Sequence, residues 1–319
     1  MDILYTFKKN IKTKLMLWAI LGFSFFIVSC NNDVKPKEVA PNSQMHNTTK
    51  NIDLQQLSQA FKTYWYAGEA EISSYTLEQA RYGEIRNGKA VLIYVTEDFL
   101  PDAQVKADTK KAHTVSVLKL NATKNFNTGI YPYSIMQSTF FPVSNQQHAI
   151  KVSSSIQEWC GHVYVQLNNK EDFEITSHSY FEGEGDENFK LDKAILENEL
   201  WTQLRIDPKT LPTGLIELVP ALEYTRLHHV PIKAFKAHAT LKNGVYSISY
   251  PELDRTLSIH FNPKFPYHIL SWEESFKSGF GKDTKILTTK ATRLNTIKSA
   301  YWGKKSNKDE TLRESLELN

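Results

Sequence analysis

The chain has 319 residues, of which 41% are apolar, 23% charged and 12% aromatic, with 13 Gly, 12 Pro and two Cys. That composition excludes an intrinsically disordered chain, a collagen-like repeat and a disulfide-stapled miniprotein, and the length fits one large domain or two modest ones. The formal charge of +3 sits in the first 29 residues, which hold four Lys and one Asp; the remainder carries 34 basic and 34 acidic side chains and so has no electrostatic footprint for nucleic acid.

Lys8, Lys9, Lys12 and Lys14 precede an uncharged apolar run of 15 residues, 15–29, that ends at Cys30. A membrane-spanning helix needs roughly 20 apolar residues, so the basic start and the shorter run read as an export signal. Ile27-Val28-Ser29-Cys30 resembles the lipobox of bacterial lipoproteins. That resemblance implies a signal peptide over 1–29, lipidation at Cys30 and a protein held in the bacterial cell envelope by its acyl chains; an uncleaved signal anchor and an ordinary cleaved signal are the alternatives. Asn31 stands where some bacteria place an Asp to retain lipoproteins in the inner membrane, which points to the outer membrane. Residues 30–51, polar and with two Pro, read as a flexible tether.

The globular body is expected over 52–302. Ile52, Leu57, Phe61, Tyr64 and Trp65 fall at near-helical spacing, with Asn51 or Asp53 as N-cap, so a short amphipathic helix is predicted over 51–65. From Ile72 the period changes to two. Asn87-Gly88 suits a type I′ turn, which predicts a strand over 72–86, a turn at 87–88 and a strand over 89–97. Residues 91–95 (VLIYV) are apolar on both faces and must be covered twice. Further strands are predicted at 114–120, 130–141, 149–167 with a break inside, and 173–181.

Residues 191–206 break this β pattern. Asp192 is placed to cap a helix, Ile195, Leu196, Leu200 and Leu204 share one face, and Asp207-Pro208 ends it, so a crossover helix separates a first half, 72–190, from a second, 212–302. Strands are predicted there at 215–219, 232–241, 245–250, 255–261, 268–273 and 286–302, with Asn243-Gly244 as a second type I′ signal. Phe235, Ala237, Ala239 and Leu241 alternate with Lys236, His238, Thr240 and Lys242, which writes a sheet with one solvated face. The charged tail, 303–319, carries Leu312 and Leu316 at helical spacing and reads as a short surface helix or a frayed end.

The expected fold class is mainly β, a β-rich α+β chain with a long curved antiparallel sheet or half-barrel and two amphipathic helices, because open edges of so many strands need closure or cover. The stretch LIELVPALEYTRLHHVPIKAFKAHATL with YSISYPELDRTLSIHF is loosely similar in pattern to the half-barrels of envelope lipoprotein carriers. YWYAGEAEISSYTLEQARYGEIRNGKAVLIYVTEDF, with SSSIQEWCGHVYVQLN, resembles an uncharacterised family of bacterial lipoproteins sometimes labelled "septum formation inhibitor Maf". The S-x-S-P-R-R phosphate-binding signature of Maf pyrophosphatases is missing from the chain, so no catalytic residues carry over.

Candidate chemistry is sparse. With Cys30 committed to lipid, Cys160 has no intramolecular partner and must be buried, blocked or used. A strand through this region sets Glu158, Cys160, His162 and Tyr164 on one face, with Cα atoms two apart separated by roughly 6.5–7 Å. A Cys160–His162 catalytic dyad would therefore need a kink at Gly161; a buried small side chain beside a hydrogen-bonded His is the alternative. Glu182, Glu184 and Asp186 offer oxygen ligands that could suit Ca²⁺, without EF-hand spacing, and otherwise make a solvated turn. His228-His229 lacks companions for a zinc site, and Glu69, Glu71 and Glu78 read as a solvated face. The common hydrolase, metalloprotease and nucleotide signatures are absent, and no cofactor is implied. The aromatics of the first half, among them Tyr75, Tyr94, Tyr131 and Tyr133, belong to types that line apolar grooves as well as cores. Together these features predict a membrane-anchored envelope lipoprotein that binds or carries a lipid or other apolar ligand without catalysis. The alternatives are an envelope enzyme using Cys160 and His162, and a cell-envelope or septum-associated scaffold whose partner is another envelope protein.

Overall fold

The computed structural model describes residues 57–144, 148–279, 282 and 284–318. The signal peptide, Cys30, the tether and the first part of the predicted N-terminal helix lie outside these residues. Among them are β1 (Ala70–Arg81), β2 (Glu84–Leu100), β3 (Val105–Lys106), β4 (Val115–Thr128), β5 (Tyr131–Pro142), β6 (Lys151–Glu158), β7 (Gly161–Asn169) and β8 (Phe173–His178). The second run comprises β9 (Glu187–Leu191), β10 (Ile195–Leu196), β11 (Gly214–Val219), β12 (Phe235–Lys242), β13 (Val245–Tyr250), β14 (Arg255–Phe261), β15 (Ile269–Ser278) and β16 (Lys285–Ser299). Four helices accompany them: α1 (Gln59–Trp65), α2 (Glu197–Ile206), α3 (Leu222–Leu227) and α4 (Thr311–Ser315).

All sixteen strands belong to one sheet. β1 pairs antiparallel with β16, joining two meanders into a ribbon that ends at β9 on one side and β10 on the other; only β3 lies off this path, beside β2. Every pairing is antiparallel except β10 with β11, which α2 connects. Leu191 closes β9 and Ile195 opens β10, and four residue steps span at most about 14 Å. The two edges therefore approach each other, and the sheet curls into an incompletely closed barrel. This is the mainly β, curved antiparallel architecture that the alternation predicts.

The first hairpin turns elsewhere than predicted. Tyr82 and Gly83, at φ 53° and 78°, make the turn, and Asn87-Gly88 lies inside β2, where Gly88 is flanked by Leu77 of β1 and Phe126 of β4. A Cβ on Gly88 would stand 2.2 Å from the backbone oxygen of Asn125, so this glycine serves close strand approach. The other predicted turn, Asn243-Gly244, is present with φ 52° and 75°.

Residues 91–95 are covered twice, as their composition requires. Leu92 and Tyr94 face the barrel interior, whereas Val91, Ile93 and Val95 form an outer cluster with Ile72 and Ile297 on which Leu316 and Leu318 of the tail pack. The tail docks here, with Asn295 Nδ2 donating to the Ser315 carbonyl at 2.6 Å. At the other terminus Ser58 caps α1 in place of Asn51 or Asp53, its Oγ accepting the Phe61 N–H at 3.1 Å. α2 begins at Glu197 because 187–191 and 195–196 are strand, and Glu199, not Asp192, receives the Leu196 N–H at 3.0 Å. α3 replaces the loop between predicted strands; at six residues it is too short for its periodicity to show.

Candidate functional site

α2 runs through the barrel interior. Leu200 and Leu204 are fully buried, and so are the polar residues of the other faces: Glu197, Asn198, Glu199, Thr202 and Arg205. Burying such groups is costly unless each is paired. The wall supplies partners to all of these but Thr202, whose Oγ1 is buried without one. Asn198 Nδ2 donates to Gln137 of β5 at 2.9 Å, and its Oδ1 accepts the Leu222 N–H at the start of α3. Glu199 accepts the Ala149 N–H at 2.7 Å and lies 3.0 Å from His148 Nδ1. Glu197 takes a bidentate pair from Arg255 of β14, at 2.5 and 2.7 Å, and the Tyr250 hydroxyl at 2.6 Å.

Arg205, at the far end of α2, pairs bidentately with Glu71 of β1 at 2.6 and 2.7 Å, with the two side chains 1% and 0% exposed. Tyr64 donates a third bond to Glu71 at 2.6 Å, Arg205 Nε donates to the Pro266 carbonyl, and the guanidinium lies over the Trp65 and Tyr94 rings. Burial pushes the Glu71 carboxyl up, but Arg205 and the hydrogen bonds outweigh it and hold the group well below the usual carboxylate range. Glu71 is thus an internal anion and not part of the solvated face predicted for it.

Between α2, α3 and the wall lies a chamber of about 60 Å³, lined by Lys124, Glu223, Gln137, Arg255, Glu274 and His228 among others. Lys124 Nζ and Gln137 Nε2 both donate to Glu223, at 2.8 and 2.9 Å, and Arg255 Nε donates to Glu274 at 2.6 Å. Gln79 Oε1, buried at the chamber wall, has no hydrogen-bond partner. Leu92, Leu120, Trp201 and Trp272 complete its lining, and a chamber of this size has room for a few ordered waters and none for an acyl chain.

His228 stacks on Tyr224 at 4.4 Å and meets the edge of Phe276. Burial, with Arg81 and Arg255 in support and Glu274 opposing, pushes its pKa down to about 4. An unfolded histidine titrates near pH 6.5, so between those values the folded state binds fewer protons than the unfolded one. Stability is therefore full above pH 6.5 and falls by about 3 kcal/mol as pH drops through this window to about 4. Urea unfolding of a His228→Asn variant should show that slope flattened, and an unaltered slope would exclude His228 as its source.

A larger depression opens at the end of the barrel where β7 begins and β8 ends. It has a volume of about 1040 Å³ and is walled by Val163 and Val165 of β7, Phe189 of β9, Phe181, and Val230 and Ile232 beyond α3. Its polar lining includes Glu182, Glu187 and Asn188 and a charged cluster in which Glu184 lies 3.4 Å from Arg226 and 2.5 Å from His229 Nδ1, and the Arg226 guanidinium covers the Phe181 ring at 4.2 Å. The incompletely closed sheet makes this space, because β9 is an edge and residues 225–232 form the opposite lip. An apolar trough with a charged end suits an amphiphile.

The residues singled out from sequence disperse. Cys160 is not in a strand; it sits exposed in the β6–β7 turn beside Trp159, its N–H donating to Glu158 at 2.7 Å. Hydrogen bonding to Glu158, with a lesser contribution from desolvation, raises the thiol above its usual value, which disfavours the nucleophilic thiolate. His162 is bonded to Ser155 Oγ at 2.9 Å, so the structure gives the two different partners. Glu184 is engaged by Arg226 and His229, Asp186 is near His178 and accepts the Ser179 N–H, and Glu182 is exposed. Among the described residues no group of three or more His, Cys, Asp or Glu is placed to hold a metal ion. Sequence reasoning passed over Arg226, Arg205 and Arg255: Arg205 stands between Leu204 and Ile206, but Arg255 follows Asp254 and Arg226 follows Thr225, so no common linear signal marks the three.

No family model matches the chain, and no curated protein matches it. Among solved structures it is similar to a beta-barrel-like protein of the domain of unknown function DUF1849 from Brucella abortus, with 7% identity and a TM-score of 0.42 over 72% of this chain and 97% of that one.

Proposed function

We propose that the protein is a non-catalytic binding or carrier protein of the bacterial cell envelope, tethered by lipid on Cys30, and that it holds a lipid or other apolar ligand in the trough between β7–β9 and residues 225–232. The observation that carries this is the contrast between two spaces. The interior chamber is small and packed between ion pairs and side chains such as Leu120, Trp201 and Trp272, whereas the trough has the volume of a ligand site, with Val163, Val165, Phe189, Val230 and Ile232 on its walls and polar groups at Glu182, Glu184, Glu187, Asn188, Arg226 and His229. An acyl chain or similar body would lie on Val163, Val165 and Phe189, with its polar group against Arg226.

Mass spectrometry of the protein purified without detergent should find a bound amphiphile. Ile232→Trp, which fills the trough from its lip, should weaken uptake of a fluorescent fatty acid at least about tenfold, the effect of roughly 1.4 kcal/mol. An empty protein that takes up no probe, or one whose Ile232→Trp variant binds as well as the parent, would overturn the assignment.

A further inference from the structure

Arg226, the arginine that lines the trough, is loosely held. Its side chain is 10% exposed and lies over the Phe181 ring, yet among the described residues it makes one hydrogen bond, from Nη1 to Glu184 Oε1 at 3.4 Å. Nε has no hydrogen-bond partner, although Glu184 Oε2 stands 3.4 Å away, and Nη2 donates to none of these residues. A guanidinium so far removed from water ordinarily has its donors satisfied. Glu184 is fixed more firmly, with His229 Nδ1 on the lip at 2.5 Å and Ser179 Oγ donating to it at 3.3 Å. It therefore cancels the charge of Arg226 while leaving donors of that guanidinium unused.

The remaining charges of the lining are acidic. Glu182 and Glu187 are exposed and form no ion pair among the described residues, so three carboxylates face Arg226 and His229, both already engaged by Glu184. Lys233, just past Ile232, has its Nζ over the Phe235 ring at 4.8 Å and does not line the space. A carboxylate or phosphate head entering here would have to displace Glu184 or meet Glu182 and Glu187 uncompensated. An uncharged head with carbonyl or hydroxyl oxygens meets neither penalty and can accept from Arg226 Nη2. Resting on the assignment of the trough as the ligand site, we infer that it selects amphiphiles with an uncharged, oxygen-bearing head, such as a monoacylglycerol, over fatty acids of the same chain, and that Glu184 sets the choice. The selection works by repulsion as much as by contact, since the apolar walls hold either chain equally.

Displacement of the uncharged fluorescent probe N-phenylnaphthylamine at neutral pH, by monooleoylglycerol and by oleate below their aggregation concentrations, compares two heads on one chain. The glyceride should bind at least about fivefold more tightly, and raising the salt should narrow that gap by screening the carboxylates. Glu184→Gln keeps the size of the side chain and removes its charge. It should strengthen oleate binding about tenfold and change glyceride binding by less than about twofold. A trough merely loosened by the substitution would shift both ligands together, so the ratio of the two affinities is the readout. Equal binding of the two heads by the parent, or a Glu184→Gln variant with an unchanged ratio, would overturn the selection and leave the trough standing as a ligand site. A protein that binds the probe and neither amphiphile would remove that site and the selection with it.

Discussion

Replacing Arg205 with methionine should destabilise the protein by about 3–5 kcal/mol, because it leaves the Glu71 carboxylate buried without its counter-charge. The guanidinium makes both ends of a bidentate pair with Glu71, donates to Pro266 and covers two aromatic rings, so methionine keeps the packing of the stem and loses every polar contact. In the variant the Glu71 carboxyl, no longer held low, should titrate in the upper carboxylate range or beyond. Glu71→Gln leaves the cation buried with one neutral acceptor and should cost a comparable amount. The double replacement Glu71→Leu with Arg205→Met removes both charges and should cost much less than the two single costs combined, since paired buried charges offset their own desolvation only when both are present. Urea unfolding of the four proteins at neutral pH decides it; a loss under about 1 kcal/mol for Arg205→Met would show that the pair is not the clasp described. The pH dependence has a definite sign. The folded pKa of Glu71 is depressed, so its stabilisation is present above the unfolded carboxylate pKa near 4.3 and is lost as pH falls below it.

This clasp also shows where linear reading succeeds and stops. The curved antiparallel sheet was legible because alternation is a local property: Phe235, Ala237 and Ala239 face in and Lys236, His238 and Thr240 face out regardless of what lies across the barrel. The double cover of residues 91–95 followed from composition alone. α2 defeated the same logic. Its Leu200 and Leu204 mark an apolar stripe, and nothing in the period says what its polar positions Glu197, Asn198, Glu199 and Arg205 face, yet they meet Arg255, Gln137, Ala149 and Glu71, each more than 45 residues away. Period shows that a face is polar; only tertiary structure shows whether water or a counter-charge satisfies it. The trough was hidden for a related reason. Val163, Phe189 and Ile232 are ordinary apolar residues of three separate segments, and what joins them is an edge left unclosed between β9 and β10. Cys160, by contrast, drew attention by rarity, and the structure sets it in a turn two residues long.

Gly88→Ala should cost about 3 kcal/mol, the upper range for forcing an added carbon into a packed site. Its Cβ would stand 2.2 Å from the Asn125 oxygen and 2.8 Å from Phe126 Cβ, and the first of these is backbone, which cannot rotate away. β2 would have to part from β4 along a seam that runs from Gly88–Phe126 to Phe99–Val115, in the middle of the sheet. Gly83→Ala gives the contrast: no atom lies within 4 Å of its Cβ position, so only the left-handed φ of 78° opposes the substitution, at about 1–2 kcal/mol. Asn87→Ala should change stability by less than about 0.5 kcal/mol, since Asn87 is an exposed strand residue and not the first residue of a turn. Three urea midpoints therefore separate the two registers available to this hairpin. If Asn87→Ala were costly and Gly83→Ala neutral, the turn would lie at 87–88; the chain would then slide β2 by ten positions along β1, set Asp98 instead of Gly88 opposite Leu77, and take Tyr94 away from Glu71. That exchange would bring an acidic side chain beside a core leucine, which is the physical reason that the turn at Tyr82-Gly83 prevails over the stronger local signal at Asn87-Gly88.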